Sequence, residues 1–486
     1  MPDLQMKEYR ENLYQKALSE SFSNPVTLQK LIESCMSLLD EESCIILKDL
    51  SSILFHNRQF QACIDFLNII YNIQSSRHFC VRPILTESEF HWYLKQISAC
   101  LPLPSIDRKN FIFKENNINL AHITNVISEG HGPTNVLTYL IKYLDKNIFN
   151  LSVYVTDYCS DSNQRGNNII HTLEEYGARV ILLPPPFSSD MWKSKNLIEK
   201  ILSDNIDIAI FYAQCCPLSS ITAMKRVAPL MIQISVSSIF YHSQIDHFIT
   251  ASKHDYNLHP YIHNKSTIIP LGSDFHNKLN DVEKMHFDPI FDHMVKIGSI
   301  GHLHKMANKD FVEIAIQILK ENPTSCFLFA GNGTKDEIEF IVRAFRKEDL
   351  DNRVKYMGLL TENLPSFIKS LDLCLNTYPF AGGSVSLEVM SAGIPIMSVR
   401  KEGTYHWNVS YDNIGLEELI IPFEEKEKFY QLAKRLIHDI NYRREIGKKL
   451  RMRYLQEFRF DIVVKKYENL FLDLYRDKLA HTKETI

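Results

Sequence analysis

Over residues 1–105 apolar positions recur at helical spacing, in Leu28, Leu31, Ile32, Cys35, Leu38 and Leu39 and again in Ile53, Leu54, Cys63, Leu67 and Ile70. A stripe of that period is the buried face of an amphipathic helix. Asn24-Pro25 reads as a cap followed by a first-turn proline. Phe60–Tyr71 has the look of the second half of a helical hairpin, but no fixed period follows, which points to a compact helical domain rather than a repeat array. The proline-containing run from Leu101 to Ser105 reads as the linker that ends it.

From Asn119 the period changes. Short apolar runs alternate with amphipathic stretches of about ten residues, the pattern of a parallel sheet covered by helices on both faces. Strands are predicted at Leu120–Ile127, Leu151–Thr156, Arg179–Leu183, Ile208–Tyr212, Met231–Ser235, Ile245–Thr250 and Thr267–Pro270. The alternation restarts after Asp274–Asp292, with strands at Lys296–Ser299, Cys326–Ala330, Val354–Met357 and Leu371–Leu375. Leu419–Ile421 adds an edge strand, and the chain reads as helical from Glu425 onward. The expected architecture is α/β: two tandem doubly wound domains, residues 107–275 and 276–486, behind an all-helical domain at 1–106. Ligands of such sheets bind beyond the carboxyl ends of the strands, and a cleft between two such domains is the expected site.

Composition narrows the function. The 486 residues accommodate three cores, and a net charge of −4 supplies no global basic field for nucleic acid or an anionic membrane. No apolar run approaches the ~18 residues of a membrane span. The N-terminus lacks the apolar core of a signal peptide, so a cytoplasmic chain without an integral membrane segment is expected. Ten cysteines are scattered without a CxxC pair, which predicts reduced, buried thiols and no zinc framework.

Candidate chemistry collects in four loops at strand carboxyl ends: Gly130–Thr134, Ile300–Lys305, Gly331–Gly333 and Gly382–Ser384. The last follows the strand Leu371–Leu375 and precedes a helix expected at Ser386–Ala392, with Ser384 as its N-cap and Gly393 just past its end. A helix N-terminus presents unpaired N–H groups, and glycine lets an anion approach them; the alternative is an ordinary turn. Lys305 on one loop beside a helix start on another supplies the mobile charge and fixed donors that a diphosphate needs; alternatively it is a solvated surface lysine. Glu388 lies one turn after Ser384, within reach of hydroxyls beside a bound phosphate. His131 is either a general base or a hydrogen-bonded loop histidine. His302 and His304 alternate with Leu303, so they are expected to point in opposite directions and not to form a metal pair. Asp157 with Asp161 and Asp349 with Asp351 lack neighbouring strand-end glycines or histidines, so no bound divalent metal is expected.

The stretches FLFAGNGTKDEIE, NRVKYMGLL, LDLCLNTYPF and LEVMSAGIPIMS resemble the C-terminal domain of GT-B glycosyltransferases, which hold a nucleotide sugar there. Many retaining members carry two glutamates eight positions apart. Glu388 fits the second, but Phe380 stands at the first. A closer similarity is to the group of O-GlcNAc transferase and the bacterial cytoplasmic N-glycosyltransferases. In that group a lysine after the first strand of the C-terminal domain contacts the diphosphate, and HLHK puts Lys305 there. AGGSVSLE likewise puts Gly383 and Ser384 at the phosphate loop and Glu388 at the ribose contact. GHGPTNVLTYL with NIFNLSVYVTD, and RVAPLMIQISV with IDHFIT, resemble the family's N-terminal half.

The resemblance also implies nucleotide-sugar contacts by His302, Asn332 and Leu360, and a catalytic position near the acceptor for His131. It implies a metal-independent, inverting transferase that uses no cofactor beyond its nucleotide-diphosphate sugar, UDP-linked by preference, and a protein side chain or glycan as acceptor. Several positions depart from the family. Its histidine before the proline is Gly132 here, its glutamine before the lysine is His302, its phosphate-loop histidine is Gly383, and its basic residue near the uracil is Glu362. Transfer to a glycan or lipid-linked acceptor in polysaccharide synthesis, a nucleotide-sugar 2-epimerase and a non-catalytic nucleotide-sugar-binding protein are the alternatives.

Overall fold

The computed structural model describes residues 41–77, 85–100, 114, 117–128, 132–156, 164–183, 190–213, 221–235, 244–258, 260–379, 381–400 and 409–484. His131, Phe380, Asp157, Asp161, the Asn24-Pro25 cap and the 101–105 linker lie outside those residues. The chain divides into two compact units, residues 1–129, 146–248 and 474–486 in the first, 130–145 and 249–473 in the second.

In the first unit three described helices, α1 (Glu41–His56), α2 (Phe60–Arg77) and α3 (Glu87–Cys100), precede the sheet. Their inward stripes hold Leu47, Leu50 and Leu54 of α1, Cys63, Phe66 and Leu67 of α2, and Phe90 and Leu94 of α3, all buried. The helical period was therefore legible there, and the apolar face is what orders these helices.

A seven-stranded sheet follows, built from β1 (Ile118–Thr124), β2 (Phe149–Val155), β3 (Ala178–Leu182), β4 (Ile208–Ala213), β5 (Leu230–Ser235), β6 (His247–Thr250) and β7 (Ser266–Ile268). Its order is β3-β2-β1-β4-β5-β6-β7. The intervening helices include α4 (Gly132–Tyr143), α5 (Gln164–Glu175), α6 (Asp190–Ser203) and α7 (Lys253–Leu258). Although α4 lies between β1 and β2 in sequence, it groups with the second unit.

The second sheet has six strands: β8 (Val295–Ile300), β9 (Ser325–Ala330), β10 (Val354–Tyr356), β11 (Leu373–Leu375), β12 (Ile396–Arg400) and β13 (Ile420–Pro422). Their order is β10-β9-β8-β11-β12-β13, and each neighbouring pair is parallel. The short α8 (Phe275–Lys278) precedes the sheet. Helices α9 (Lys309–Glu321), α10 (Lys335–Arg346), α11 (Leu364–Ser370), α12 (Gly383–Ser391) and α13 (Val409–Ile414) connect its strands. Then α14 (Lys426–His438), α15 (Ile440–Glu457) and α16 (Phe460–Glu484) close the chain.

Local chemistry starts these helices where they are needed. Asn308 caps α9 by accepting from Phe311 N–H at 2.9 Å. Thr334 and Glu337 form a reciprocal capping box on α10. The inward face of α9, including Phe311, Ile314 and Ile318, then covers β9, every residue of which is buried. Burial of a large apolar side chain contributes about 1.5–3 kcal/mol, which makes this face the main anchor of the helix. The sheet order places β8 at the point where the winding reverses, with β9 on one side and β11 on the other. In such sheets the loops that leave those strands diverge and open a crevice for a ligand.

Candidate functional site

The loops leaving β8 and β9 are locked together by backbone. Gly301 N–H donates to Ala330 O at 3.0 Å, and Leu303 N–H donates to Asn332 O at 2.8 Å. One strand further, Gly331 N–H donates to Gly358 O at 2.9 Å, while Tyr356 Oη donates to Gly331 O at 2.7 Å. These bonds hold a 3₁₀ turn, Leu303–Lys305, whose buried Leu303 faces inward and whose neighbours His302 and His304 are exposed. The two imidazoles stack at 5.6 Å with an interplanar angle of 28°. The expectation that they point in opposite directions is thus corrected. Two-residue alternation holds in an extended strand, whereas this segment curls. Burial, together with the positive charge of Lys305, lowers the pKa of both.

Lys305 itself is half-buried, and burial holds its ammonium below the usual lysine range. Among the described residues no acid pairs with it. An ammonium desolvated without a counter-charge is costly, and an anionic ligand relieves that cost. The turn that carries it is pinned to the next loop by Asn308, whose Nδ2 donates to Lys305 O at 3.0 Å and to Tyr378 O at 2.5 Å.

Tyr378 belongs to the segment between β11 and α12, the other side of the crevice. There Asn376 is buried and uses both ends of its amide. Nδ2 donates to Ser398 Oγ at 2.8 Å, and Oδ1 accepts from Gly382 N–H at 2.8 Å. Helix α12 begins at Gly383 with Gly382 as its N-cap, so Ser384 is not the cap and the helix starts earlier than expected. Glycine offers no side-chain acceptor, so the N-cap residue itself makes no cap hydrogen bond. Among the described residues nothing accepts from the first-turn N–H groups, including that of Ser384, and such groups suit an outside acceptor. Asn413 fixes the same turn from behind, donating to Gly383 O at 3.1 Å and to Ser386 Oγ at 3.0 Å.

Glu388 lies on α12, one turn beyond that opening. It keeps part of its surface accessible, but its deep setting pushes its pKa up to about 7, with only the charge of Lys278 opposing the shift. Gly132, the first residue of α4 and a member of the same unit, stands against Ser384: a Cβ there would be 3.6 Å from Ser384 Oγ. Asn332 is exposed on the β9 loop and Leu360 is half-exposed after β10. Among the described residues no group of three or more His, Cys, Asp and Glu side chains is placed to hold a metal ion. No described helix is long and apolar enough to cross a membrane.

The arrangement agrees with a comparison of the sequence with known families, in which residues 294–439 match the model described as Glycosyl transferases group 1. The match covers just under a third of the chain. The matched stretch spans Lys305, Asn332, Leu360, Gly382–Ser384 and Glu388 and includes all of β8–β13. The fold is GT-B. An O-GlcNAc transferase mutant from Thermobaculum terrenum superposes with a TM-score of 0.59 at 14% identity, over 95% of this chain and 88% of that one. HepE from Anabaena, solved with UDP, gives 0.56 at 13% identity over 73% of this chain and 99% of its own. A glycosyltransferase from Rickettsia africae gives 0.56 at 13% identity over 75% and 99%. No curated protein sequence matches the chain.

Three residues that hold the second sheet's loops and helix starts carry no signal in the sequence: Asn308, Asn376 and Asn413. Each has a hydrogen-bond partner more than twenty residues away, and an isolated asparagine carries no spacing signal. Asn376 alone had a hint, since it directly follows the apolar run Leu371–Leu375.

Proposed function

We propose that this protein is a glycosyltransferase that binds a nucleotide-diphosphate sugar in its second unit, at Lys305 and the start of α12. It then transfers a hexose or N-acetylhexosamine to an acceptor, a protein side chain by preference and otherwise a glycan. The observation that carries this reading is Lys305. It is a half-buried ammonium without an acid partner among the described residues, on a turn tied by Asn308 to the segment that leads into an uncapped helix. The group 1 match over the same residues supports the reaction class. UDP as the nucleotide is favoured because HepE is solved with UDP and with UDP-glucose.

In this reaction the acceptor's nucleophile attacks the anomeric carbon as the bond from that carbon to the β-phosphate oxygen breaks. The electron pair leaves on the diphosphate. Lys305 and the first-turn amides of α12 are donors preset for that developing charge, which is where electrostatic catalysis gains most. They take the part that a divalent metal plays in other transferases. Glu388 accepts from the ribose hydroxyls, and His131 removes the acceptor's proton. Inversion at the anomeric carbon follows from a single displacement, and Phe380 at the place of the first glutamate of retaining members agrees with it.

The test is a panel of UDP-, GDP- and ADP-sugars incubated with the protein and candidate acceptor peptides and glycans, following released nucleotide and acceptor mass. Acceptor mass increasing by one sugar with stoichiometric nucleotide release is the expected result. Epimerised sugar nucleotide without acceptor, or binding with neither transfer nor hydrolysis, overturns the reading.

A further inference from the structure

Asp274 occupies the N-cap position of α8, yet its carboxylate makes no cap hydrogen bond. It is committed elsewhere. Lys142 Nζ, near the end of α4, donates to Asp274 Oδ2 at 2.7 Å, and Tyr143 Oη donates to the same oxygen at 3.2 Å. The carboxylate is buried, with 7% of its side chain exposed against 32% for Lys142. Hydrogen bonding and the charge of Asp274 raise the Lys142 pKa against the opposing effect of burial. The backbone beneath Asp274 is fixed as well: Ser273 N–H donates to Phe458 O at 2.9 Å, and Tyr454 Oη donates to Ser273 O at 2.7 Å.

Asp274 is thus a join. Through α8 it is connected to α12, against which α8 packs, and Lys278 at the end of α8 directs its charge at Glu388. Through Lys142 it holds the far end of α4, and at the near end of that helix Gly132 stands beside Ser384. A twelve-residue helix is a rigid rod of about 18 Å, so fixing one end sets where the other end lies.

We propose that Lys142 and Asp274 are a positioning pair for the donor site: their ion pair keeps α4, α8 and α12 in one register, so that Ser384 and the first turn of α12 stay aligned on the donor diphosphate. The inference rests on the diphosphate reading above. Their part is indirect, exerted through α4, α8 and α12. Tyr139 and Tyr143 also pack on Phe460, tilted at 5.0 Å and stacked at 6.0 Å between ring centroids, so α4 stays packed when the ion pair is removed.

The experiment is calorimetric binding of UDP and UMP to the full chain and to Lys142→Met, Asp274→Asn and Lys142→Arg, with Tm recorded for each. If the pair positions the diphosphate contacts, Lys142→Met and Asp274→Asn weaken UDP about tenfold, since misplacements near 1 Å are worth up to ~100-fold, and leave UMP within about twofold. Lys142→Arg, which keeps the ion pair, restores UDP binding to within about threefold of wild type. UDP affinity unchanged in both disrupting variants overturns the proposal. So does an equal loss of UMP and UDP, which marks a general structural effect. A wild-type chain that binds neither nucleotide sinks the diphosphate reading itself, and this inference with it; wild-type binding that the variants share sinks the inference alone.

Discussion

Gly331 lies so close to Gly301 that a Cβ on it would stand 1.7 Å from the Gly301 carbonyl oxygen. Its φ of +148° is also one that L side chains rarely adopt. The contact is what lets the β8 and β9 loops share hydrogen bonds and hold the Lys305 turn. Gly331→Ala is expected to cost about 4 kcal/mol or more, because backbone rather than a flexible side chain must move. With the whole chain unfolding as one unit, that corresponds to a fall in Tm of roughly 4 °C or more, at about 1 °C per kcal/mol. Gly358→Ala is the control. Its φ is +79°, but nothing lies within 4 Å of the added atom, so only the conformational cost of about 1–2 kcal/mol applies. Equal Tm losses in the two variants would contradict this account of the loops.

Lys305 separates stability from binding. Because burial alone lowers its pKa, replacing it by an apolar side chain of similar length removes a desolvated charge. Lys305→Met is expected to leave Tm unchanged or raise it while weakening UDP about 10- to 100-fold, the worth of a hydrogen bond to a charged group. Thermal shift and calorimetry on the same preparations decide it. UDP affinity within about twofold of wild type would remove Lys305 from the site.

Much of the architecture was legible because it rests on period. The alternation of short apolar runs with amphipathic stretches gave both sheets and the helical end of the chain, since each run is buried in a parallel sheet. Of the candidate site, the unusual local residues Gly382-Gly383 and Lys305 could be singled out from sequence, and the structure joins the Lys305 turn through Asn308 to the segment leading into Gly382. Ser384 was misread as a cap because serine is a common capping residue, while the cap here is Gly382, held by Asn376 from six residues back. The orientation of His302 and His304 was misread because a strand period was extended into a turn. Asn308, Asn376, and Asp274 with Lys142 act across gaps of up to 132 residues, and no local pattern encodes such pairs.

Glu388 predicts a pH dependence of defined sign. Its folded pKa of about 7 lies above the ordinary carboxylate value of 4.5, so the folded state holds a proton that the unfolded state releases between those values. Stability therefore falls as pH rises from about 4.5 to 7 and levels off above, by up to roughly 3 kcal/mol at ~1.4 kcal/mol per pKa unit. Glu388→Gln is expected to raise Tm at pH 8 and leave it nearly unchanged at pH 4.5. An ionised carboxylate is the better acceptor for ribose hydroxyls, so UDP affinity should rise through pH 7 in the wild type and lose that rise in the glutamine variant. A wild-type Tm profile flat from pH 5 to 8, matched by the variant, would show that Glu388 is not desolvated in this way.

Asn376 tests whether α12 is placed for an anion or merely placed. Its Oδ1 accepts from Gly382 N–H and its Nδ2 donates to Ser398 Oγ, both at 2.8 Å and both buried. Asn376→Ala leaves a buried N–H without its partner, which costs about 1–3 kcal/mol and loosens the start of the helix. Asn376→Asp preserves the acceptor for Gly382, and the Ser398 hydroxyl can rotate to donate to the new carboxylate. The shape is kept, but a negative charge now stands beneath the opening of α12. At ~6 Å and an effective dielectric near 20, repulsion between that charge and a phosphate is roughly 3 kcal/mol. The aspartate variant is thus expected to keep a Tm closer to wild type than the alanine variant and yet to bind UDP at least about tenfold more weakly. Salt should partly restore its affinity by screening. An aspartate variant that binds UDP like wild type would mean that no anion sits at the start of α12.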